Sequence, residues 1–301
     1  MTPTKRFAFF PGCKIPFFLD HYGTSCRSVL EALGVRLVEL EFNCCGYPAR
    51  ELHFDAFVLS AARNIAMAGR DGLPLLTPCK CCFGTLKYAD HWLRNHEGLR
   101  RAINAALREE GLAWDGTVEI HHLLSFLAHE VGTDTLRAHI ERPYRGLRIA
   151  AHYGCHALRP GRVMRFDNPL APTLFEDLVA VTGAEPVEWA RRLECCGHPL
   201  WGKNDRLSRS MMEAKLSDAR RAGADYVCTA CTHCQIQFDA VQADLHGPTA
   251  SGGSGVPILP SVLYTQLLGL AMGIAEGPLG IERNRVELGG ITRYLCPSRS
   301  T

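Results

Sequence analysis

The chain of 301 residues has almost no charge imbalance: 33 Lys and Arg stand against 31 Asp and Glu, a formal net charge of +2. The cations are scattered among acids rather than massed in one run, which argues against a phosphate-tracking surface and against nucleic acid as a partner. Long apolar runs are missing too. The best candidate, residues 262–275, is shorter than the roughly 20 residues a membrane span needs and is interrupted by Tyr264, Thr265 and Gln266. Near the N-terminus Lys5-Arg6 precedes an apolar stretch too short for a secretory segment, and it leads straight into Pro11-Gly12-Cys13. A first strand in a soluble, cytoplasmic protein is therefore expected. No Gly-x-Gly-x-x-Gly follows a strand-like segment, so no flavin or nicotinamide is expected on this chain. Low complexity is confined to the Ser-Gly-Gly-Ser-Gly of residues 251–255, read as a flexible hinge or loop.

Cysteine, by contrast, is abundant, with 14 in the chain. In a reducing compartment that number points to metal or redox chemistry rather than disulfides. Ten of them fall into a pattern written twice. A lone Gly12-Cys13 precedes Cys44-Cys45-Gly46-Tyr47-Pro48, and Cys79 with Cys82 follows; Gly154-Cys155, Cys195-Cys196-Gly197-His198-Pro199, and Cys231 with Cys234 repeat the order. The offsets between the copies are 142 residues at the lone cysteine, 151 at the pair and 152 at the last cysteine. One loop insertion in a duplicated unit produces that pattern, so two homologous halves are expected, residues 1–145 and 146–301.

The hydrophobic pattern gives each half the same grammar. Strands are expected at 6–10, 35–40 and 73–77, then at 147–152, 186–190 and 224–229, with a closing strand and helix within 256–273. Helices are expected at 20–33, from 54 onward, 83–110 and 121–131, then at 168–182, 205–222 and 232–245, with residues 293–301 as a polar tail. The lone cysteine and the Cys-x-x-Cys thus sit after strands and before helices. In an open α/β sheet those loops gather at the carboxyl edge, where helix N-termini offer free N–H groups to thiolates. The expected class is α/β, two Rossmann-like modules with short parallel sheets and cysteine loops at the carboxyl ends of the strands.

Structural zinc is closed by four ligands, whereas each half offers five thiols, and the side chains of adjacent cysteines diverge. Several metals in one cluster suit that set better than a single ion, with zinc or free thiols as the competing readings. Ordinary cubane clusters take tightly spaced cysteines; here one set runs from Cys13 to Cys82, so a whole folded domain would hold it.

The two patterns resemble the paired "CCG" modules found in the B subunit of heterodisulfide reductase, over nearly the full chain. The resemblance implies that Cys13, Cys44, Cys45, Cys79 and Cys82 hold one noncubane [4Fe-4S] cluster and Cys155, Cys195, Cys196, Cys231 and Cys234 a second. It further implies making or breaking an S–S bond between the two clusters, each sulfur captured at an iron. Electrons would pass to or from two partners in the complex, an iron–sulfur C subunit and a flavin-bearing A subunit. The His-Pro-Leu-Trp-Gly-Lys-Asn-Asp stretch that closes on Asp205 is similar to the bacterial sulfur-oxidising branch, where the sulfur is carried as thiol or persulfide on a lipoate-binding protein. The methanogenic branch would use the coenzyme M and coenzyme B heterodisulfide. A different class of function stays open: an electron-relay or assembly role within another oxidoreductase that carries such modules.

Around the cysteines, His156 matches the Gly-Cys-His of the resembled family and is a candidate proton donor to a departing thiolate. Lys203 is a candidate for holding an anionic substrate or giving a proton; a solvated lysine is the plainer alternative. His198 and His233 are expected to tune a cluster from beside it, and His152 to be a buried strand histidine. Cys26 reads as a core filler. Cys81 and Cys228 lie within or beside the Cys-x-x-Cys motifs, so either could replace a ligand if the register slipped; Cys79 and Cys82 are favoured because they reproduce the spacing of the second half, and Cys296 is unassigned.

Overall fold

The computed structural model of the protein describes residues 5–246 and 258–297; the glycine-rich stretch at 251–255 and the end of the tail lie outside the described residues. Two four-stranded sheets carry the fold. In the first, β1 (Arg6–Phe9), β2 (Arg36–Val38), β3 (Leu75–Thr77) and β4 (Ile120–His122) lie in the order β2-β1-β3-β4. In the second, β5 (Arg148–Ala151), β6 (Glu185–Pro186), β7 (Tyr226–Thr229) and β8 (Ser261–Leu263) lie in the order β6-β5-β7-β8. Every strand pair is parallel, and the identical order shows the duplication in the topology. Of the four inner strands, β3 and β7 are buried along their whole length and β1 and β5 beyond their first residue, as helices on both faces of a parallel sheet require.

Several boundaries differ from the sequence expectation. A strand, β4, stands where the helix at 121–131 was expected to begin; Ile120 pairs with Leu75 and His122 with Thr77. The β-branched Thr117, Val118 and Ile120 favour extended backbone there. His122 then starts the next helical turn by accepting the Leu124 N–H on Nδ1. The long helical region at 83–110 is two helices, Lys80–Asn95 and Glu97–Leu107, broken at the extended His96. The helix expected from residue 168 begins only at Leu174, because the Asp167 carboxylate accepts the N–H groups of Thr173 and Leu174 and holds the preceding residues in a loop. The strand expected at 186–190 is only Glu185–Pro186. The start of the expected tail is fastened: Ile291–Tyr294 forms a turn, Leu295 bridges Tyr144, and the Cys296 N–H donates to the Pro143 carbonyl at 2.9 Å.

The halves are packed on each other through helix Tyr264–Ala271 against helix Asp20–Ala32, where Ser25 Oγ and Thr265 Oγ1 lie 2.7 Å apart in full burial. Beside the cysteines the contact is closer. Lys80, 2% exposed, donates from Nζ to the His152 carbonyl of the other half at 2.9 Å. A Cβ built on Gly84 would lie 2.7 Å from the His156 carbonyl oxygen, so only glycine allows this approach. Among the described residues no helix is long and apolar enough to cross a membrane.

Candidate metal centre

The strand ends deliver the cysteines by a device used twice. Gly12 and Gly154 turn the chain with φ of +69° and +70° immediately before Cys13 and Cys155. A Cβ on Gly12 would stand 2.7 Å from Cys82 Sγ, and one on Gly154 3.6 Å from Cys234 Sγ. The Cys-Cys pairs are followed by Gly46 and Gly197, each with φ of +90°. There a Cβ would meet the carbonyl oxygens of Phe57 at 2.7 Å and Ser208 at 2.6 Å. Both glycines are needed for their left-handed backbone and for their contact with the helix behind. Cys79 and Cys231 are extended residues directly before the helices Lys80–Asn95 and Thr232–Ile236, which place Cys82 and Cys234 in their first turns.

All fourteen cysteines are free thiols. In the first half each thiol shifts the proton affinity of the next, in the order Cys13, Cys44, Cys45, Cys82 and Cys79. In the second the same influence runs through Cys155, Cys195, Cys196, Cys234 and Cys231. The Cys44 thiol is pushed down by the neighbouring Cys13, which is itself pushed up, and the Cys195 thiol is pushed down by the neighbouring Cys155. All five cysteines of the second half line a single cavity, together with Lys80, Cys81, Tyr153, His156 and His233. A larger cavity of about 530 Å³, lined among others by Lys87, Asp90, Arg94 and Arg165, contains no cysteine and lies apart from this chemistry.

The two sets meet at one point. Sγ atoms of Cys79, Cys81 and Cys231 all lie within 4.8 Å of one another, and Cys81 is 3.9 Å from Cys231. Around this junction stand the imidazoles singled out in the sequence. His156 Nδ1 is 3.3 Å from Cys155 Sγ and 3.5 Å from Cys81 Sγ. His233 Nδ1 is 3.0 Å from Cys81 Sγ, and its ring lies 4.9 Å from that of His198. His198 is oriented by Gln237 Oε1, 3.3 Å from its Nδ1. Tyr47, from the first Cys-Cys-Gly turn, packs edge-on to His156 at 5.3 Å and tilted to His233 at 5.5 Å. Burial lowers the proton affinity of all three imidazoles, His198 to about 4, so each is a neutral donor or acceptor near neutral pH.

Lys203 is placed otherwise. It is exposed at the turn before helix Asp205–Arg221, and among the described residues its side chain makes no hydrogen bond or ion pair. Cys26 is fully buried on helix Asp20–Ala32, Cys228 is buried in β7, and Cys296 is half-buried beside the segment that joins the halves. Sequence reasoning passed over Lys80 and Tyr47 and left Cys81 aside. The repeat offset of 152 residues at the Cys-x-x-Cys does carry a signal for Cys81, since it pairs that residue with His233. His152 is indeed buried beside the end of a strand, but with an unusual feature: it is 0% exposed, and among the described residues neither ring nitrogen has a hydrogen-bond partner. Its Nε2 and Cys234 Sγ both lie against Gly154. A buried polar atom without a partner costs roughly 1–3 kcal/mol, and sulfur acceptors of a metal–sulfur group beside Cys234 would satisfy it. Five gathered thiols, with an imidazole beside them free to donate to a sulfur, fit an iron–sulfur group.

An α/β fold of two parallel-sheet modules, each presenting a lone cysteine, a Cys-Cys-Gly and a Cys-x-x-Cys at its carboxyl edge, defines a class of cysteine-rich proteins. The chain belongs to the CCG cysteine-rich domain family, matched over residues 7–87 and 149–239. Within that family it is homologous to the B subunit of heterodisulfide reductase. It is 33% identical over 287 residues to the B subunit of the ferredoxin/F(420)H(2)-dependent CoB-CoM heterodisulfide reductase of Methanosarcina acetivorans, covering 94% of each chain. It is 34% identical over 285 residues to the 8-methylmenaquinol:fumarate reductase membrane anchor subunit of Wolinella succinogenes, covering 94% of this chain and 98% of that one. A protein of Archaeoglobus profundus described as like the heterodisulfide reductase B subunit is 29% identical over 275 residues, 89% of this chain and 91% of the relative. Among solved structures, a hypothetical protein from Helicobacter pylori superposes with a TM-score of 0.74 at 16% identity, over 96% of this chain; the chain spans about half, 53%, of that one. That likeness concerns the fold alone. The family and the homology establish an iron–sulfur, heterodisulfide-reductase-like subunit of an oxidoreductase complex.

Proposed function

We propose that the protein is the catalytic iron–sulfur subunit of a heterodisulfide reductase-like complex that makes or breaks S–S bonds between two noncubane [4Fe-4S] clusters. Modules 1–145 and 146–301 would each hold one, through Cys13, Cys44, Cys45, Cys79 and Cys82 and through Cys155, Cys195, Cys196, Cys231 and Cys234. The observation that carries this reading is that two complete five-thiol sets run into each other at Cys79 and Cys231, the place where His156 and His233 stand. When bound, the clusters supply one-electron transfer and open iron positions for sulfur. The chain supplies the rest. His156, with Nδ1 beside Cys155 Sγ, takes up a proton as it arrives with the substrate and passes it to the departing thiolate, and His233, with His198 packed behind it, lines the cavity. Lys203, exposed at the turn after the second Cys-Cys-Gly, attracts an anionic part of the substrate. Buried Lys80 clamps the two halves at constant spacing.

The substrate class favoured is a thiol or persulfide in sulfur oxidation, carried on a lipoate-binding protein in the cytoplasm, with the iron–sulfur and flavin-bearing partners completing the electron path. Two relatives keep other readings in view: the Methanosarcina protein favours reduction of the CoM-CoB heterodisulfide, and the fumarate reductase protein favours an electron relay. A direct assay separates them. Anaerobic protein is given a reduced or oxidised viologen dye with lipoamide disulfide and its dithiol, then with the CoM-CoB heterodisulfide. Turnover with the lipoyl pair is expected. Turnover with the heterodisulfide alone selects the second reading, and dye oxidation or reduction with no S–S chemistry in either direction selects the relay.

A further inference from the structure

The cavity of about 530 Å³ that lies apart from the cysteines has the size of a small-molecule site, roughly 300–1,000 Å³, and its walls come from both halves. One wall is helix Lys80–Asn95, which presents Lys87, Asp90, His91 and Arg94 at the spacing of a single helical face. A second is the edge strand β4 with the turn before it, including Glu119 and His121. The third belongs to the second half: helix Gly161–Met164, with Arg162 on it and Arg165 just past its end. The charges on these walls do not cancel, since Lys87, Arg94, Arg162 and Arg165 outnumber Asp90 and Glu119 by two. Both acids are already engaged. Asp90 accepts from Arg94 Nε at 2.7 Å, and Glu119 lies 3.2 Å from His121 Nε2. Lys87, Arg162 and Arg165 have neither an ion pair nor a side-chain hydrogen bond among the described residues. Burial pushes the Lys87 ammonium below the ordinary lysine value; Asp90 opposes that, and the guanidinium groups of Arg165 and Arg94 add to it. Arg165 is also the one non-glycine among the described residues with left-handed backbone, φ +47°, a conformation found preferentially where ligands bind. Like charges gathered on one cavity from two modules repel one another until an anion lies between them.

We infer that this cavity binds a small polyanion, its charge borne on phosphoryl or carboxylate oxygens, between Lys87 of the first half and Arg162 and Arg165 of the second. Planar guanidinium forks match paired oxygens of either kind, and the lysine adds a point charge. The same two segments carry the sulfur sets. Helix Lys80–Asn95 holds Cys82 in its first turn, and the chain from Cys155 and His156 runs through a short turn into helix Gly161–Met164. A bound anion therefore ties the two cysteine-bearing segments to each other and stabilises the contact between the halves. This binding needs no sulfur chemistry and is independent of what the clusters do.

Isothermal titration calorimetry on the anaerobic protein as isolated, at fixed ionic strength, tests this with 3-phosphoglycerate as the phosphoryl probe and tricarballylate as the carboxylate probe. One site per chain with a Kd below about 1 mM is expected for at least one of them, and a saturating amount of that probe should raise Tm. Binding of 3-phosphoglycerate alone assigns a phosphoryl ligand, binding of tricarballylate alone a carboxylate ligand, and binding of both the polyanion class. Lys87→Gln, Arg162→Gln and Arg165→Gln should each weaken binding about tenfold, the scale of one charge-assisted hydrogen bond, with the far-UV circular dichroism of the parent. Arg36→Gln, on β2 at the opposite edge of the same sheet, should bind as the parent does. Failure of both probes to bind the parent would overturn the inference. So would binding that survives all three substitutions, or that weakens as much in Arg36→Gln, which would make it a property of the surface at large. Binding of a hexaglutamate peptide where neither small probe binds would also overturn it, by giving the groove to an acidic segment of a partner.

Discussion

The two halves share a sheet order, a pair of left-handed glycine turns and five cysteines, yet the residues beside the sulfurs differ. Taking the repeat offsets at each motif, the second half has histidine at 152, 156, 198 and 233, where the first has Phe10, Lys14, Tyr47 and Cys81. What is duplicated is the cage. The imidazoles belong to one copy, and burial holds those of His156, His198 and His233 neutral near pH 7. The comparison teaches that the second set carries its imidazoles beside the sulfurs, whereas the first has the fully buried Phe10 in the place of His152.

The comparison can be broken most severely at the shared part. Gly197→Ala forces a Cβ to 2.6 Å from the Ser208 carbonyl oxygen at a φ of +90°. The left-handed backbone alone costs about 1–2 kcal/mol, and the clash displaces the Cys195-Cys196 turn. Loss of the second set's metal, about half of the total iron, is expected by elemental analysis, and Gly46→Ala should lose the other half. Equal losses sharpen the duplication; an unchanged iron content in either would contradict it.

Next in size is the asymmetry itself. His156→Gln keeps a polar side chain but no proton switch, and disulfide turnover should fall by about 10²–10⁴-fold with iron retained. Lys14→Gln, at the equivalent place in the first half, should stay within about twofold, the scale of a surface change of roughly 0.5 kcal/mol. Comparable losses in both would erase the distinction between the halves.

A third prediction concerns His152, which among the described residues has no hydrogen-bond partner on either nitrogen. His152→Phe copies the first half. In metal-free protein it should stabilise by about 1–3 kcal/mol, the cost of leaving a buried polar group unsatisfied, read as a rise in Tm. In the metal-loaded protein it should instead shift the reduction potential of one cluster.

The fourth is a pH effect. His122 is completely buried, packed with Nε2 3.2 Å from the Ala230 carbonyl, and burial lowers it to about 3. Because the unfolded chain binds the proton first, stability is fully present above about pH 6.5 and is lost as pH falls, by about 2 kcal/mol at pH 5. Thermal melts of metal-free protein at pH 7.5 and 5 should show this loss, and His122→Asn should flatten it.

The smallest effect belongs to Lys203. It is exposed and makes no side-chain contact among the described residues, so Lys203→Ala should raise KM about threefold at unchanged kcat, the effect of losing one weak solvated charge contact.

Much of this was legible in the sequence because cysteine spacing and glycine placement are local. The doubled Cys-Cys-Gly marked the duplication, the strand-then-cysteine order pointed to the carboxyl-edge site, and the helix ends expected at 33, 182 and 222 are each followed by a left-handed glycine, Gly34, Gly183 and Gly223. What escaped was set by tertiary contact. The strand β4 is three residues long and exists because β3 is there to pair with it. The helix expected at 168 waits for the Asp167 cap. Lys80 reads as a surface lysine until the other half supplies a carbonyl and the rings of Tyr153 and Phe175 around it. Cys81 carries no local sign of standing at the junction of two modules; only the repeat alignment to His233 hints at it.

The most direct measurement is iron and acid-labile sulfide per chain on anaerobically purified protein, with EPR after a thiol is added under mild oxidation. The account predicts about eight iron and eight sulfide for two four-iron clusters, with a thiol-induced signal that vanishes in Cys195→Ser and persists in Cys44→Ser. Zinc in place of iron, or a signal that depends on Cys44 and not on Cys195, would contradict it.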